Sequence, residues 1–295
     1  MIKCSIGVCV YNEEKNIGKF LESLLSQKLG RVKIDEVLII ISGSTDNTYK
    51  IVKKYTLKES KIKIIRQKRR EGKASAVNLF VGKAENEVLV LLGGDIILDL
   101  NTIENLVSKF KDSEVGMTGV RPIPLNDIND GLIGYAAHLL WGLHHKISLT
   151  HPKMGEVVAF RRIFRRIPVL SSVDEANIEP LIRGQGYKIV YVPEAKIYNK
   201  AAKTIFDYIK QRKRIYSGHL AVKYEQSYEV ATLDIFSILK ALFFFLRENP
   251  RLRYIFYTPF VILLEAYCRF LGWWDYRIAK KRHTVWEFVK STKEL

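Results

Sequence analysis

The sequence is poor in cysteine and in acidic charge. Its three cysteines, Cys4, Cys9 and Cys268, are scattered and odd in number, which excludes a disulfide framework and a cysteine-based metal site and suits a reducing compartment. His144, His145 and His151 lack the i,i+4 pairing and the neighbouring cysteine that a zinc site needs. The opening residues, MIKCSIGVCVYNEE, are a poor secretory leader: the apolar run is short, has no small-residue cleavage site and leads straight into polar residues. Internal repeats and low-complexity linkers are absent. The apolar stretch near the C-terminus offers eleven uncharged residues at 254–264, interrupted by Pro259. Even extended past Glu265 and Arg269 to about twenty residues, it is short for a bilayer span and better suited to an interfacial or re-entrant segment.

What the chain has is positive charge. Lys and Arg total 48 against 31 Asp and Glu, and from Lys200 onward 18 basic residues face 9 acidic ones. Such a surplus suits an anionic partner: nucleic acid, phospholipid head groups or a phosphorylated substrate. The basic residues are not gathered with aromatics into a nucleic-acid recognition module, so nucleic acid is the disfavoured partner. Around 254–274, Tyr, Trp, Lys and Arg cluster at the edges of the apolar blocks, as expected where one side meets lipid and the other water.

The first half alternates continuous apolar runs with helically spaced ones. Strands are predicted at 4–10, 36–41, 61–66, 87–92 and 115–120, and helices at 16–27, 45–54, 73–84 and 102–110. A further helix at 131–147 and a strand at 188–192, ended by Pro193, follow. The βαβα order with apolar strands predicts an α/β fold, a mostly parallel sheet flanked by helices. Ligands of such sheets sit beyond the carboxyl ends of the strands. Three loops therefore matter first: 11–14, 42–47 and 93–99.

Those loops carry chemistry. Ser42-Gly43-Ser44-Thr45-Asp46-Asn47-Thr48 combines a turn glycine with helix-capping side chains, and Asp46 reads as a helix-start cap or a ligand. Gly93-Gly94-Asp95 places one carboxylate at the end of a buried strand, with two glycines that let a ligand approach, and hard divalent cations prefer such oxygen ligands. With Val10-Tyr11-Asn12-Glu13-Glu14 and Glu71-Gly72-Lys73-Ala74-Ser75-Ala76-Val77-Asn78, these segments, in this order, resemble the family-2 inverting glycosyltransferases of GT-A fold. Their motifs are a YNE(E) opening, a DDGSTDxT-like loop, a GKxxALN-like helix start and a DxD. The resemblance extends through Gly155 to Arg161, Val173-Asp174-Glu175-Ala176-Asn177-Ile178, Gly186 to Pro193 and Gln211-Arg212-Lys213-Arg214-Ile215-Tyr216, so it covers residues 2 to about 220.

The resemblance implies a GT-A-like domain over 1–228. Residues 229–295 are expected to form a basic, aromatic, amphipathic helical region at the membrane interface. The resemblance implies a nucleotide-diphosphate sugar donor held by Tyr11, Asn12, Glu13, Ser42, Asp46, Lys73, Gly94 and Arg214, and Mg²⁺ or Mn²⁺ on Asp95. Glu175, seconded by Asp174, would be the general base for a lipid-linked or saccharide acceptor. The setting implied is the cytoplasmic face of the cell membrane, peripheral or interfacial, on an anionic surface. Four of the motifs depart from the pattern. Ile41 and Ser42 replace the paired aspartates that read base and ribose, and Gly93 replaces the first Asp of DxD. The acidic pair is exchanged as Asp174-Glu175, and Ile215 replaces the Trp of QxxRW, which speaks against a processive polymerase. A polyprenyl-phosphate sugar synthase and a catalytically impaired nucleotide-sugar binder are the alternatives. The tail Trp286-Glu287-Phe288-Val289-Lys290-Ser291-Thr292-Lys293 is similar to one in membrane-associated relatives and is an amphipathic end able to fold back on the catalytic domain.

Overall fold

The structure is a computed structural model and describes residues 1–287, 289, 292 and 293. Four strands, β1 (Ile2–Val10), β2 (Val32–Ser42), β3 (Ile62–Gln67) and β4 (Val88–Gly93), pair in parallel in the order β3-β2-β1-β4. Their carboxyl ends lie level, with Val10 beside Ile41 and Cys9 beside Gly93. The continuous apolar strands have a simple cause. Ile39 and Ile41 enter the core on one face while Leu38 and Ile40 enter the core on the other, so a period of two leaves no polar position. Helix α1 (Ile17–Leu25) covers the first face with Ile17, Phe20, Leu21 and Leu24, spaced three or four apart. Helix α2 (Thr48–Thr56) adds Val52 to that layer, and α3 (Lys73–Lys83) covers the second face with Val77 and Phe80.

The second half of the sheet is mixed. β5 (Ile96–Leu98) and α4 (Thr102–Val107) precede β6 (Val115–Pro124), α5 (Gly131–Ser148), β7 (Val158–Arg161), α6 (Asp174–Arg183) and β8 (Lys188–Asn199). The full order is β3-β2-β1-β4-β7-β6-β8-β5, with β7 antiparallel to both of its neighbours. Three details differ from the sequence reading. The loop at 93–99 contains β5, which pairs antiparallel with β8 at the sheet edge. The helix expected over 102–110 ends at Val107 and continues as a 3₁₀ turn, Ser108–Lys111. Pro193 does not end its strand. The β6–β8 register jumps from Gly119–Tyr191 to Arg121–Lys196, so the proline sits in a bulge where no ladder N–H is required.

Helices α7 (Ile205–Glu225), α8 (Ile235–Glu248) and α9 (Leu252–Arg277) follow; α8 and α9 pack on α5, and α7 packs on α9. Tyr135 of α5 stacks on Tyr254 of α9 at 4.8 Å, its hydroxyl pairs with that of Thr258 at 2.6 Å, and Phe245 of α8 closes the cluster. α9 runs through Pro259 for 26 residues, about 39 Å at 1.5 Å per residue, so it is longer than the uncharged run suggested. By length and composition it is able to cross a membrane. Its internal acid faces the protein: Glu265 receives Arg212 of α7 through two 2.7 Å hydrogen bonds and Tyr208 through one of 2.6 Å. The outward face carries Phe256, Phe260, Leu263 and Phe270, all exposed, and α8 adds Phe236, Leu239 and Phe243. A soluble helix has the reverse polarity, apolar side inward and charged side outward.

Candidate active site

The loops at the carboxyl ends of β1 and β2 are laced together. The Asn12 amide donates to Ser44 Oγ at 3.0 Å, and its side-chain oxygen accepts from the Thr45 amide at 2.9 Å. The Glu14 amide donates to Asp46 at 3.0 Å, and Asp46 also accepts from the amide and hydroxyl of Thr48. Asp46 and Asn12 are thus engaged in holding the two loops, and neither lines the cleft. Gly94 also lies beneath the surface, where a Cβ would come within 2.5 Å of Val10. Tyr11, Ser42, Lys73, Asp95 and Arg214 do converge, around a cavity of about 150 Å³.

Two carboxylates meet at the end of β4. Glu13 is buried, accepts from Asn16 Nδ2 at 2.9 Å, and is pushed up to about 8 by burial and by Asp95, against the opposing pull of Lys293. The ammonium of Lys293 bonds Glu13 and lies 3.7 Å from Asp95. Burial alone would lower the Lys293 pKa, but Asp95 and Glu13 outweigh it and raise it. A cation therefore already bridges these two acids. The donors are all oxygens, as Mg²⁺ or Mn²⁺ requires. No group of three His, Cys, Asp or Glu gathers as a metal cage among the described residues. The residues fit a divalent ion that takes one or two protein carboxylates and completes its shell from a diphosphate.

A second charged cluster joins α3 to α6. Lys73, the first residue of α3, lies 3.0 Å from Glu175 and 3.3 Å from Asp174, the first two residues of α6. Burial pushes both acids up. For Glu175 the Lys73 charge, a backbone amide, the hydrogen bond from Lys73 and the Lys153 charge together outweigh burial and hold it below the usual carboxylate range; Asp174, fully buried, stays raised. Arg214 of α7 donates to the Ser172 carbonyl at 2.8 Å, and burial brings it down to about 10 against the attraction of Asp174, Glu175 and Glu156.

The tail folds into this site. Trp286 lies under the Arg214 guanidinium, 3.6 Å from carbon to ring centroid, with the Lys73 ammonium 5.2 Å away. Its carbonyl accepts from Arg70, whose guanidinium lies 3.8 Å over the Tyr11 ring. Gly72, at φ 91°, makes the passage possible, since a Cβ there would stand 2.5 Å from the Thr284 carbonyl oxygen. Of the tail motif, Phe288, Lys290 and Ser291 lie outside the described residues. Sequence reasoning missed the pairing of Lys293 with Glu13 and Asp95. It reads Lys68-Arg69-Arg70 as a basic run before Gly72-Lys73, better suited to phosphate contact than to nucleic acid, and does not foresee the contacts of Arg70 with Tyr11 and Trp286. His144 and His145 lie on α5 and His151 in the loop after it; they are not brought together with Asp95.

This geometry has parallels. The chain is similar to the glycosyltransferase GlyG of Streptococcus pneumoniae, at 26% identity over 37% of this chain and 36% of that one. It is 29% identical to the glycosyltransferase AglE of Haloferax volcanii over 39% and 38%. The poly-beta-1,6-N-acetyl-D-glucosamine synthase of Staphylococcus aureus matches at 25% over 78% of this chain and 56% of the synthase. These matches span about a third to a half of those proteins. Among solved structures, the mannosyltransferase PcManGT of Pyrobaculum calidifontis, in complex with GDP-Man and Mn²⁺, aligns over 94% of this chain and 88% of that one, with a TM-score of 0.67 and 18% identity. TarS of S. aureus in complex with UDP-GlcNAc aligns over 77% and 69%, with a TM-score of 0.51 and 18% identity. The fold of the chain is that of the GT-A glycosyltransferases. The family model described as Glycosyl transferase family 2 matches residues 5–166, more than half of the sequence. With the βαβα half-sheet, the level loops and the acid-lysine cluster in place, the chain belongs to glycosyl transferase family 2.

Proposed function

We propose that the chain transfers a sugar, with inversion, from a nucleotide-diphosphate sugar to a lipid-linked or saccharide acceptor at a membrane surface. The observation that carries this is the pair Glu13 and Asp95 with an ammonium between them, in the same cleft as Lys73, which in turn pairs with Asp174 and Glu175. Asp95, with Glu13 beside it, would hold Mg²⁺ or Mn²⁺, which supplies charge neutralisation to the leaving diphosphate. Tyr11 and Ser42 border the donor, and Arg70 and Arg214 face its phosphates. Glu175 accepts the acceptor hydroxyl's proton, and its ionised state is maintained by Lys73. Asp174, buried behind it, positions Lys73. Residues 1–228 form the catalytic unit, and the outward apolar face of α8 and α9 lies in the interface on the cytoplasmic side, with the C-terminal surplus of basic residues toward anionic lipid. The same assignment suits a polyprenyl-phosphate sugar synthase, whose acceptor needs no base.

A second reading, a nucleotide-sugar binder without turnover, is favoured by Ile41, Ser42 and Gly93 at positions where the family carries aspartates. One experiment separates the two. A panel of nucleoside diphosphates is tested by thermal shift, with and without Mn²⁺, on wild type and Asp95→Ala, followed by turnover of the stabilising nucleotide's sugar. A ligand at a hundredfold excess over its Kd stabilises by about 2.7 kcal/mol. Metal-dependent stabilisation that disappears in Asp95→Ala, with turnover, supports the transferase. Stabilisation without turnover supports the binder, and no stabilisation by any nucleotide sinks both.

A further inference from the structure

A second, larger cavity of about 560 Å³ opens beside the donor cleft and shares Lys73, Gln211, Arg214 and Trp286 with it. Its lining changes character along its length. Leu140 and Leu143 of α5, Leu239 and Leu242 of α8, and Val261 and Ile262 of α9 form apolar walls. These walls are continuous with the exposed Phe236, Phe243 and Phe260 on the outer faces of α8 and α9. Deeper in, Lys153, Arg212, Arg269, His144 and His219 gather, and at the junction with the donor cleft stand Glu156 and Glu175.

The cationic zone is not balanced by the protein. Arg212 is spent on Glu265. Lys153 makes no ion pair within 4.0 Å among the described residues, and the acid that most offsets it, Glu179, is bonded instead to the Met154 amide and the Tyr228 hydroxyl. Arg269 meets the Thr232 carbonyl at 3.5 Å and lies 5.6 Å over the Tyr216 ring, and makes no ion pair within 4.0 Å among the described residues. His144, 4% exposed, makes no well-formed hydrogen bond at either ring nitrogen, the Lys153 backbone standing only at the edge of reach. Burial, then the neighbouring Lys153, keeps it well below its ordinary pKa, and His219 is held down in the same way. Cations without an ion-pair partner and poorly satisfied ring nitrogens in a cavity with hydrocarbon walls are costly unless an anion completes them.

We infer that this cavity receives a long-chain lipid carrying a diphosphate-linked saccharide, which serves as the acceptor. The order of groups along the cavity matches the order along such a molecule. Hydrocarbon lies between α5, α8 and α9, the diphosphate at Lys153, Arg269 and His144, and the terminal sugar at Glu175 beside the donor. The acceptor hydroxyl oxygen bonds to the donor's anomeric carbon. The bond from that carbon to the diphosphate oxygen breaks, its electron pair leaves with the nucleoside diphosphate, and the hydroxyl proton passes to the Glu175 carboxylate. The word acceptor rests on the transferase reading; the lipid site does not.

The test uses the full chain in non-ionic micelles with geranylgeranyl diphosphate as the probe, titrated calorimetrically. Comparison ligands are geranylgeraniol, inorganic pyrophosphate and the nucleoside diphosphate that stabilises best with Mn²⁺. Tenfold or weaker binding of the probe to Lys153→Gln, Arg269→Gln and Leu239→Asp, with melting temperatures near wild type, supports the site; Lys153→Arg should restore binding. Geranylgeraniol and pyrophosphate should each bind at least tenfold more weakly than the probe. Equal binding to wild type and variants, or displacement of the probe by the nucleoside diphosphate, overturns the inference. If Lys153→Gln loses the probe while no nucleoside diphosphate binds at all, the lipid site stands and the transferase reading fails.

Discussion

Glu265, midway along α9, is clamped by Arg212 of α7 through two parallel hydrogen bonds of 2.7 Å, with the Tyr208 hydroxyl on the same carboxylate. The pair is mostly shielded from water. Removing one partner leaves the other charge buried and alone, which costs about 3–5 kcal/mol. Glu265→Ala should therefore destabilise the chain by that order, and Arg212→Met with Glu265→Leu together by much less. Denaturant melts in micelles of the two single variants and the double variant check this.

Lys293 competes with any divalent ion for Glu13 and Asp95. Lys293→Met keeps the stem and removes the charge, so Mn²⁺ alone should bind about tenfold more tightly, roughly 1.4 kcal/mol. Calorimetric titration of Mn²⁺ without nucleotide is the measurement, and unchanged affinity would show that the ammonium and the metal do not share the position.

The two acids of α6 should separate by role. Glu175→Gln should lower kcat by about 10²–10⁴, the usual contribution of a general base, while nucleotide-induced stabilisation is retained. Asp174→Asn should cost less in kcat, because Asp174 is fully buried and lines neither cavity. Equal losses would place both in one unit around Lys73.

Glu156 sits in the left-handed region at φ 61° and is held at about 7 by burial, with Asp95 and Glu175 pushing the same way and Lys73 and Arg214 opposing. A carboxyl whose folded pKa is raised contributes stability that is complete below its unfolded pKa and is lost as pH rises through the folded value. Between pH 4.5 and 7.5 the wild type should lose on the order of 3 kcal/mol relative to Glu156→Gln, which mimics the protonated acid. Parallel melts of the two proteins across that range test the sign.

Much of the fold was legible because it is locally consistent. β1, β2 and β4 are buried on both faces and so read as unbroken apolar runs, and α1 carries its core residues at helical spacing. β5 is three residues on a sheet edge, and nothing in Ile96–Leu98 distinguishes it from a loop. Pro193 carries a local stop signal that the β6–β8 bulge overrides. In the candidate site, Asp95, Lys73 and Glu175 were legible because each sits in a short motif at an element's end. Asp46, open in the sequence as a helix-start cap or a ligand, accepts from the Thr48 amide at the start of α2 and from the Glu14 amide. Lys293 was out of reach, because its contact with Glu13 joins residues 280 positions apart and depends on the completed fold. Glu265 and Arg269 read as interruptions of an apolar run; the helix instead turns them toward the protein.

The strand order has a consequence for how the chain is made. The four parallel strands that carry the loops of the candidate site are all present once Gly93 has been synthesised; β1–β2 and β2–β3 pair over short stretches of sequence, and β4 reaches back to β1. Their hydrogen-bonded link to β6, β8 and β5 is β7, four residues long, and β7 follows some 60 residues later. The α6 acids then arrive a dozen residues after β7. A nascent chain can thus form the half-sheet early and add the acids well after it, and loosening β7 in the finished protein would part the loops at the ends of β1, β2 and β4 from the acids while leaving each half-sheet intact.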